Sequence, residues 1–242
     1  MMTDNLIGMG LSDNILEPDE KAAQQMQQEL ASLQKRLAEL PEVSDELTRE
    51  RLQLDIATLL VAMEQKKEAW DIARPLFDSF VAMAAWQDAV KTSDVLYATD
   101  QDDSIIALGN GVWLAVTFPV DPTLSVNMLD HIIEETPAES DGGAVAAATA
   151  HYLAELRASD DKQREGLSFL TGNLLAGVAY RHSGYKEREM IDMWVERLEL
   201  NQPDKFLPRL GIVLDIIVGD KWWVDRDALR GGLPEDADSY SE

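Results

Sequence analysis

Residues 142–157 read GGAVAAATAHYLAELR, and this run constrains the chain more than any other. Six of its positions are alanine. A helix with so little side chain lets other helices approach its backbone closely, because interaxial distance follows the bulk of the contacting residues. The more ordinary apolar segments on either side then have a common floor to pack on. The expected architecture follows from this: helices gathered round a thin central one.

The rest of the chain keeps the helical period. Pro18 opens a helix in which Met26, Leu30, Leu33, Leu37 and Leu40 recur at 4-3-4-3 spacing, and Pro41 ends it. That seam suits a neighbouring helix of the same chain, or a second copy of itself. Ser44 starts a widely apolar helix to about Gln65, and Gln65-Lys66-Lys67 forms a turn before the next, in which Pro75 predicts a kink. Further helices are expected over 84–98, 104–118, 124–135, 142–157, 162–182, 187–200 and 206–218. Within 112–118, the β-branched and aromatic content of WLAVTF also suits a strand. Gly109 and Gly111 point to close helix contact. Gly172, Ala176 and Gly177 offer a groove suited to packing on 142–157.

The predicted fold class is therefore all-α: a single domain of about nine or ten helices, packed as antiparallel hairpins that can wind into a short superhelix. Residues 1–17 read as a flexible arm, 18–233 as the helical domain and 234–242 as a disordered acidic tail. The AESDGG stretch at 138–143 is a loop too short to divide the chain.

Composition excludes several classes of function. The 45 acidic residues outweigh 21 basic ones, for a formal charge of −24. Direct nucleic-acid binding and anionic membrane surfaces are disfavoured. The chain has no cysteine, which removes disulfides, thiolate metal sites and cysteine nucleophiles and fits a reducing cytoplasm. The first residues lack the basic and apolar regions of a signal peptide. No stretch is long and apolar enough for a membrane span. No P-loop, nucleophile elbow, dinucleotide fingerprint or zincin motif is present. No cofactor is implied.

Ile56-Ala57-x2-Leu60 followed by Ala69-x3-Ala73-x2-Leu76 resembles the small/large alternation of a tetratricopeptide repeat over about 34 residues. The resemblance implies an antiparallel helix-turn-helix unit that stacks on its neighbours.

Chemistry, if present, gathers round the few histidines. His131 shares a helix face with Glu134 and Glu135, and His151 stands four residues before Glu155. Together these could supply the imidazoles and carboxylates of a two-metal bundle site. The order is His-x2-Glu rather than Glu-x-x-His, and the simpler reading is one helix-surface histidine and one semi-buried histidine satisfied by a carboxylate. Asp130-His131-Ile132-x2-Glu135 is also similar to the core motif of dedicated redox-enzyme maturation chaperones, which are acidic, cytoplasmic, all-helical proteins. That similarity implies client contact at Asp130, His131 and Glu135. Trp222 and Trp223 are either an end-cover for the core or a recognition patch.

The leading expectation is a non-enzymatic, cytoplasmic module that binds another protein through a basic or amphipathic segment, as adaptor, assembly factor or regulatory subunit. A maturation chaperone, a carboxylate-histidine metalloenzyme and an acidic DNA mimic are the alternatives.

Overall fold

In the computed structural model, residues 18–41 and 44–232 are described. Every regular element among them is a helix. The helices are α1 (Pro18–Ala38), α2 (Glu46–Ala62), α3 (Lys66–Ala82), α4 (Trp86–Ala98), α5 (Ser104–Thr117) and α6 (Pro122–Glu135). They continue with α7 (Asp141–Arg157), α8 (Asp161–Ser183), α9 (Arg188–Arg197), α10 (Pro203–Val218) and α11 (Arg226–Gly231). From α1 to α9 each helix packs on the next, and α10 then folds back against α7 and α5. The outcome is a single all-α domain of helical hairpins. The expected arm at 1–17 and tail at 234–242 lie outside the described residues.

Tight turns of one kind join many of the hairpins. Glu64, Ala84 and Glu199 adopt positive φ (58°, 53° and 55°). In each turn the following amide reaches back to the preceding helix: Gln65 to the Leu60 carbonyl, Ala85 to that of Phe80 and Leu200 to that of Val195, at 2.8–2.9 Å. This is the Schellman closure, here built on residues other than glycine. Asp100 (φ 54°) makes a variant of it, in which the Ser104 hydroxyl accepts from the Gln101 amide and donates to the Leu96 carbonyl.

The α1 seam closes within the chain. Leu30, Leu33, Leu37 and Leu40 pack on Leu52, Ile56 and Leu60 of α2. Across α2 and α3, Ala57, Leu60, Ala69, Ala73 and Leu76 are all buried, as a stacked hairpin requires. This packing is compatible with a tetratricopeptide-like arrangement. The Arg51 guanidinium donates twice to the buried Asp88 carboxylate, from Nε at 3.1 Å and Nη2 at 2.8 Å, tying α2 to α4.

The alanine-rich run forms the predicted floor. α7 packs on α6, α8 and α10, and Ala144, Ala146, Ala147, Ala150 and Ala154 have no exposed surface. α5 is equally tight. A Cβ on Gly109 would meet Val218 Cγ2 at 2.3 Å, and one on Gly111 would meet Ser93 Cβ at 2.4 Å.

Residues 112–117 are helix, within the expected 104–118 span: most of α5 is buried, and packing overrides the local strand propensity. Pro75 sits inside α3. Two expectations change. Asp141, Gly142 and Gly143 belong to the first turn of α7, not to a loop. The α8 glycines are the largest correction. Gly172 and Gly177 face open space, and the buried face of α8 carries Leu167, Thr171, Val178 and Ala179 instead. The small residues sit one helical face away from α7.

Two substitutions test this account. Ala84→Gly relieves a left-handed backbone and is expected to stabilise the fold by about 0.5–1 kcal/mol. Gly111→Ala overfills the α4–α5 contact and is expected to cost about 1–3 kcal/mol. Urea unfolding midpoints at unchanged slope read both.

Candidate functional site

α6 ends at Glu135, beside the turn that joins α4 to α5 and opposite the second half of α10. Asp121 opens α6 by accepting from the Thr123 and Leu124 amides at 2.9 and 3.3 Å. At the other end, the Arg181 guanidinium of α8 donates to the Ile133 carbonyl at 2.9 Å and closes the helix. Gly143 makes room for it, since a Cβ there would lie 2.5 Å from Arg181 Nη2. The carboxylates at the end of α6 are thus held at a fixed height.

His131 is half-buried. Its Nε2 lies 3.2 Å from Asp94 Oδ1 of α4, its Nδ1 is 3.5 Å from Glu134 Oε2, and its ring rests 4.7 Å from that of Tyr97. The hydrogen bond to Asp94 outweighs burial and raises the imidazole pKa above its usual value. The Tyr97 hydroxyl donates to Glu135 Oε1 at 2.6 Å. Burial, and then that carboxylate, push the phenol well above its ordinary range, so it stays a donor. Asp130, half-buried, is raised by burial and then by Glu134.

Glu135 stands between two cavities. One, of about 320 Å³, is lined by Thr136, Pro137, Gly142, Val213, Ile216 and Ile217. Ile216 is 78% exposed and Ile212, one turn earlier on α10, is 59% exposed. The other cavity, of about 410 Å³, is lined by Tyr97, Asp100, Gln101, Asp102 and Ile105 as well as Glu135. The Ser104 hydrogen bonds fix that turn, so Asp100 and Asp102 are presented from a rigid frame.

The remaining candidate residues go elsewhere. His151 Nδ1 pairs with the Thr171 hydroxyl at 2.9 Å, and Glu155 accepts from the Ser168 hydroxyl. Both are therefore engaged with α8 rather than with each other, and neither shares a partner with His131, Glu134 or Glu135. Among the described residues no group of three or more His, Asp and Glu side chains is arranged to hold a metal ion. Trp223 lies against the core. Its indole meets Phe77 and Trp70 edge-on at 5.2 and 6.3 Å, and Arg74 stacks over it at 3.8 Å. Its amide donates to Asn110 Oδ1 at 3.1 Å. Trp222 is covered by Arg226 at 3.8 Å.

Sequence reasoning misses Asp94, Tyr97 and the exposed isoleucines of α10. The first two lie 37 and 38 residues from their α6 partners, beyond any local pattern. For Ile212 and Ile216 a signal exists, because α10 has more apolar positions than one buried face needs. No protein-family model matches the chain, and no curated protein or solved structure is significantly similar to it.

The His131 contact has a pH signature. A histidine whose folded pKa is raised contributes stability that is fully present below the unfolded value of about 6.5 and is lost as pH rises through the folded value. The stability gap between the native chain and His131→Gln is expected to be widest near pH 6 and to close above pH 8, as urea unfolding at about pH 6, 7.5 and 9 will read.

Proposed function

We propose that this chain is a non-enzymatic helical protein-binding module, an adaptor, assembly factor or regulatory subunit. The segment it takes combines an aliphatic anchor with adjacent lysine or arginine. The observation that carries this reading is the position of Glu135, on the shared rim of an aliphatic cavity and an acidic one. An amphipathic helix laid across the end of α6 would put a leucine or isoleucine between Val213 and Ile216. Its basic side chains would fall beside Glu135, Asp100 and Asp102. The formal charge of −24 would steer such a segment in from solution and make capture salt-dependent.

The motif shared with redox-enzyme maturation chaperones favours one version of this reading. His131 and Glu135 are turned toward α4 and both make hydrogen bonds there. In that version the client is the basic, apolar targeting segment of a metalloenzyme, and the compartment is the cytoplasm.

A fluorescein-labelled amphipathic peptide, with leucines at i and i+4 and lysines on the neighbouring face, tests the site by anisotropy. Binding is expected at micromolar concentration in low salt. Ile216→Asp is expected to weaken it by at least about tenfold and Glu135→Lys by about three- to tenfold, each loss corresponding to about 0.6–1.4 kcal/mol or more. No binding at about 100 μM, or binding indifferent to both substitutions, would sink the proposal.

A further inference from the structure

α8 has a second face, turned away from α7. It carries Gly166, Phe169, Leu170, Asn173, Ala176, Gly177 and Tyr180, at the 3-1-3-3-1-3 spacing of one helical stripe. Phe169 is 74% exposed, Tyr180 54% and Leu170 41%. A Cβ on Gly166 or Gly177 would meet nothing within 4 Å. In stacked-helix folds the terminal units carry polar outer faces. α1 obeys this, with exposed Gln, Lys and Glu residues on its outer side. α8 does not, and α9 touches it only sparingly.

The stripe is complementary to itself. Reversed about Asn173, Phe169 and Leu170 fall opposite Ala176 and Gly177, and Tyr180 falls opposite Gly166. Every large side chain meets a small one. Charge agrees as well. None of the seven positions is an acidic or basic residue, so the stripe adds no formal charge on a chain of charge −24. Lys186 lies over the Tyr180 ring at 4.7 Å, and the reversal carries it toward Glu165 of a second copy. We propose that the occupant of this face is a second copy of this chain. Two α8 helices pair antiparallel across a two-fold axis at Asn173, and the paired amides exchange hydrogen bonds on the axis.

Area sets the strength. From Gly166 to Tyr180 the stripe runs roughly 20 Å, and two such stripes bury on the order of 1,000 Å² in total. That is the low end for specific interfaces, so the dimer is reversible, with a Kd on the order of 10 μM. It shares no residue with the cavities beside Glu135, so it stands or falls independently of the peptide reading. Because each copy is strongly acidic, salt strengthens it by screening, whereas salt weakens capture of a basic segment.

Sedimentation equilibrium of the full chain from about 1 to about 200 μM reads the association. A monomer–dimer equilibrium is expected, tighter at about 0.5 M than at about 0.1 M salt. Gly177→Leu enters open space in the single chain, so its melting temperature is expected to hold or rise. The same leucine strikes Phe169 of the second copy and is expected to weaken the dimer by at least about tenfold. The absence of native cysteine allows a second reading of the geometry. Asn173→Cys is expected to cross-link to a covalent dimer under mild oxidation, whereas Asp78→Cys, exposed on α3, is not. A chain that stays monomeric at the highest concentration overturns the proposal. So does a dimer indifferent to Gly177→Leu, including one lost only on removal of residues 1–17, or an Asn173→Cys chain that cross-links no faster than Asp78→Cys.

Discussion

The close approach of helices at α5 and α7 is the constraint on which the rest of the structure depends. α7 contributes alanine, and α5 contributes glycine at the two places where Val218 and Ser93 press on it. Interiors are packed to crystal-like density, so a thin helix has to be met by its neighbours or leave a void. α7 is met on three sides, by α6, α8 and α10. That contact brings α10 back from the end of the chain to the middle of it. The cavity lined by Gly142, Val213 and Ile216 exists because α10 arrives there.

Helices drawn so close leave their carboxyl ends short of water, and the chain answers with arginine. Arg157 donates to the Ala115 and Val116 carbonyls at the end of α5, at 2.6 and 2.7 Å. Arg181 closes α6 in the same way. Arg209 donates to the Leu198 carbonyl at the end of α9 at 2.6 Å, and its other arm pairs with Asp141 at 2.9 Å. Charged donors to orphan carbonyls are strong hydrogen bonds and also complement the helix dipole. The burial of Arg157 is enough to lower its pKa. Basic residues spent on these internal ends leave the exterior more acidic than a count of charges conveys. The acidic edge at Asp100, Asp102 and Glu135 is a local product of the same economy.

Local patterns in the sequence carry most of the helices and the floor they stand on. The α1 seam, the buried alanines of α2 and α3, and the composition of 142–157 each specify their own packing within a few residues. What the sequence does not display is the partner across space. His131 reads as a histidine beside Glu134, yet its stronger contact is Asp94 on another helix. His151 and Glu155 have the spacing of a pair and are each drawn to α8 instead. Asn110 sits between two glycines in an expected helix, but its side chain spans from the Ile106 carbonyl to the Trp223 amide and seats the segment between α10 and α11. Spacing along one helix fixes a shared face, and only the fold decides what that face meets.

The α8 glycines show the same limit from the other side. Their spacing marks a surface built for close approach, and α7 looks like its natural partner because it too is small. Helix register decides otherwise: Thr171 and Val178 face α7, so the glycine stripe faces out. Two exposed apolar faces, those of α8 and α10, consequently both rest on α7. The two differ in kind. Around α10 the isoleucines border carboxylates, which favours an unlike, basic partner. Along α8 large and small residues alternate about a centre with no charge among them. A surface of that sort complements itself better than it complements an arbitrary helix, because an isologous contact needs each bulky residue to find its own small counterpart at the mirrored position.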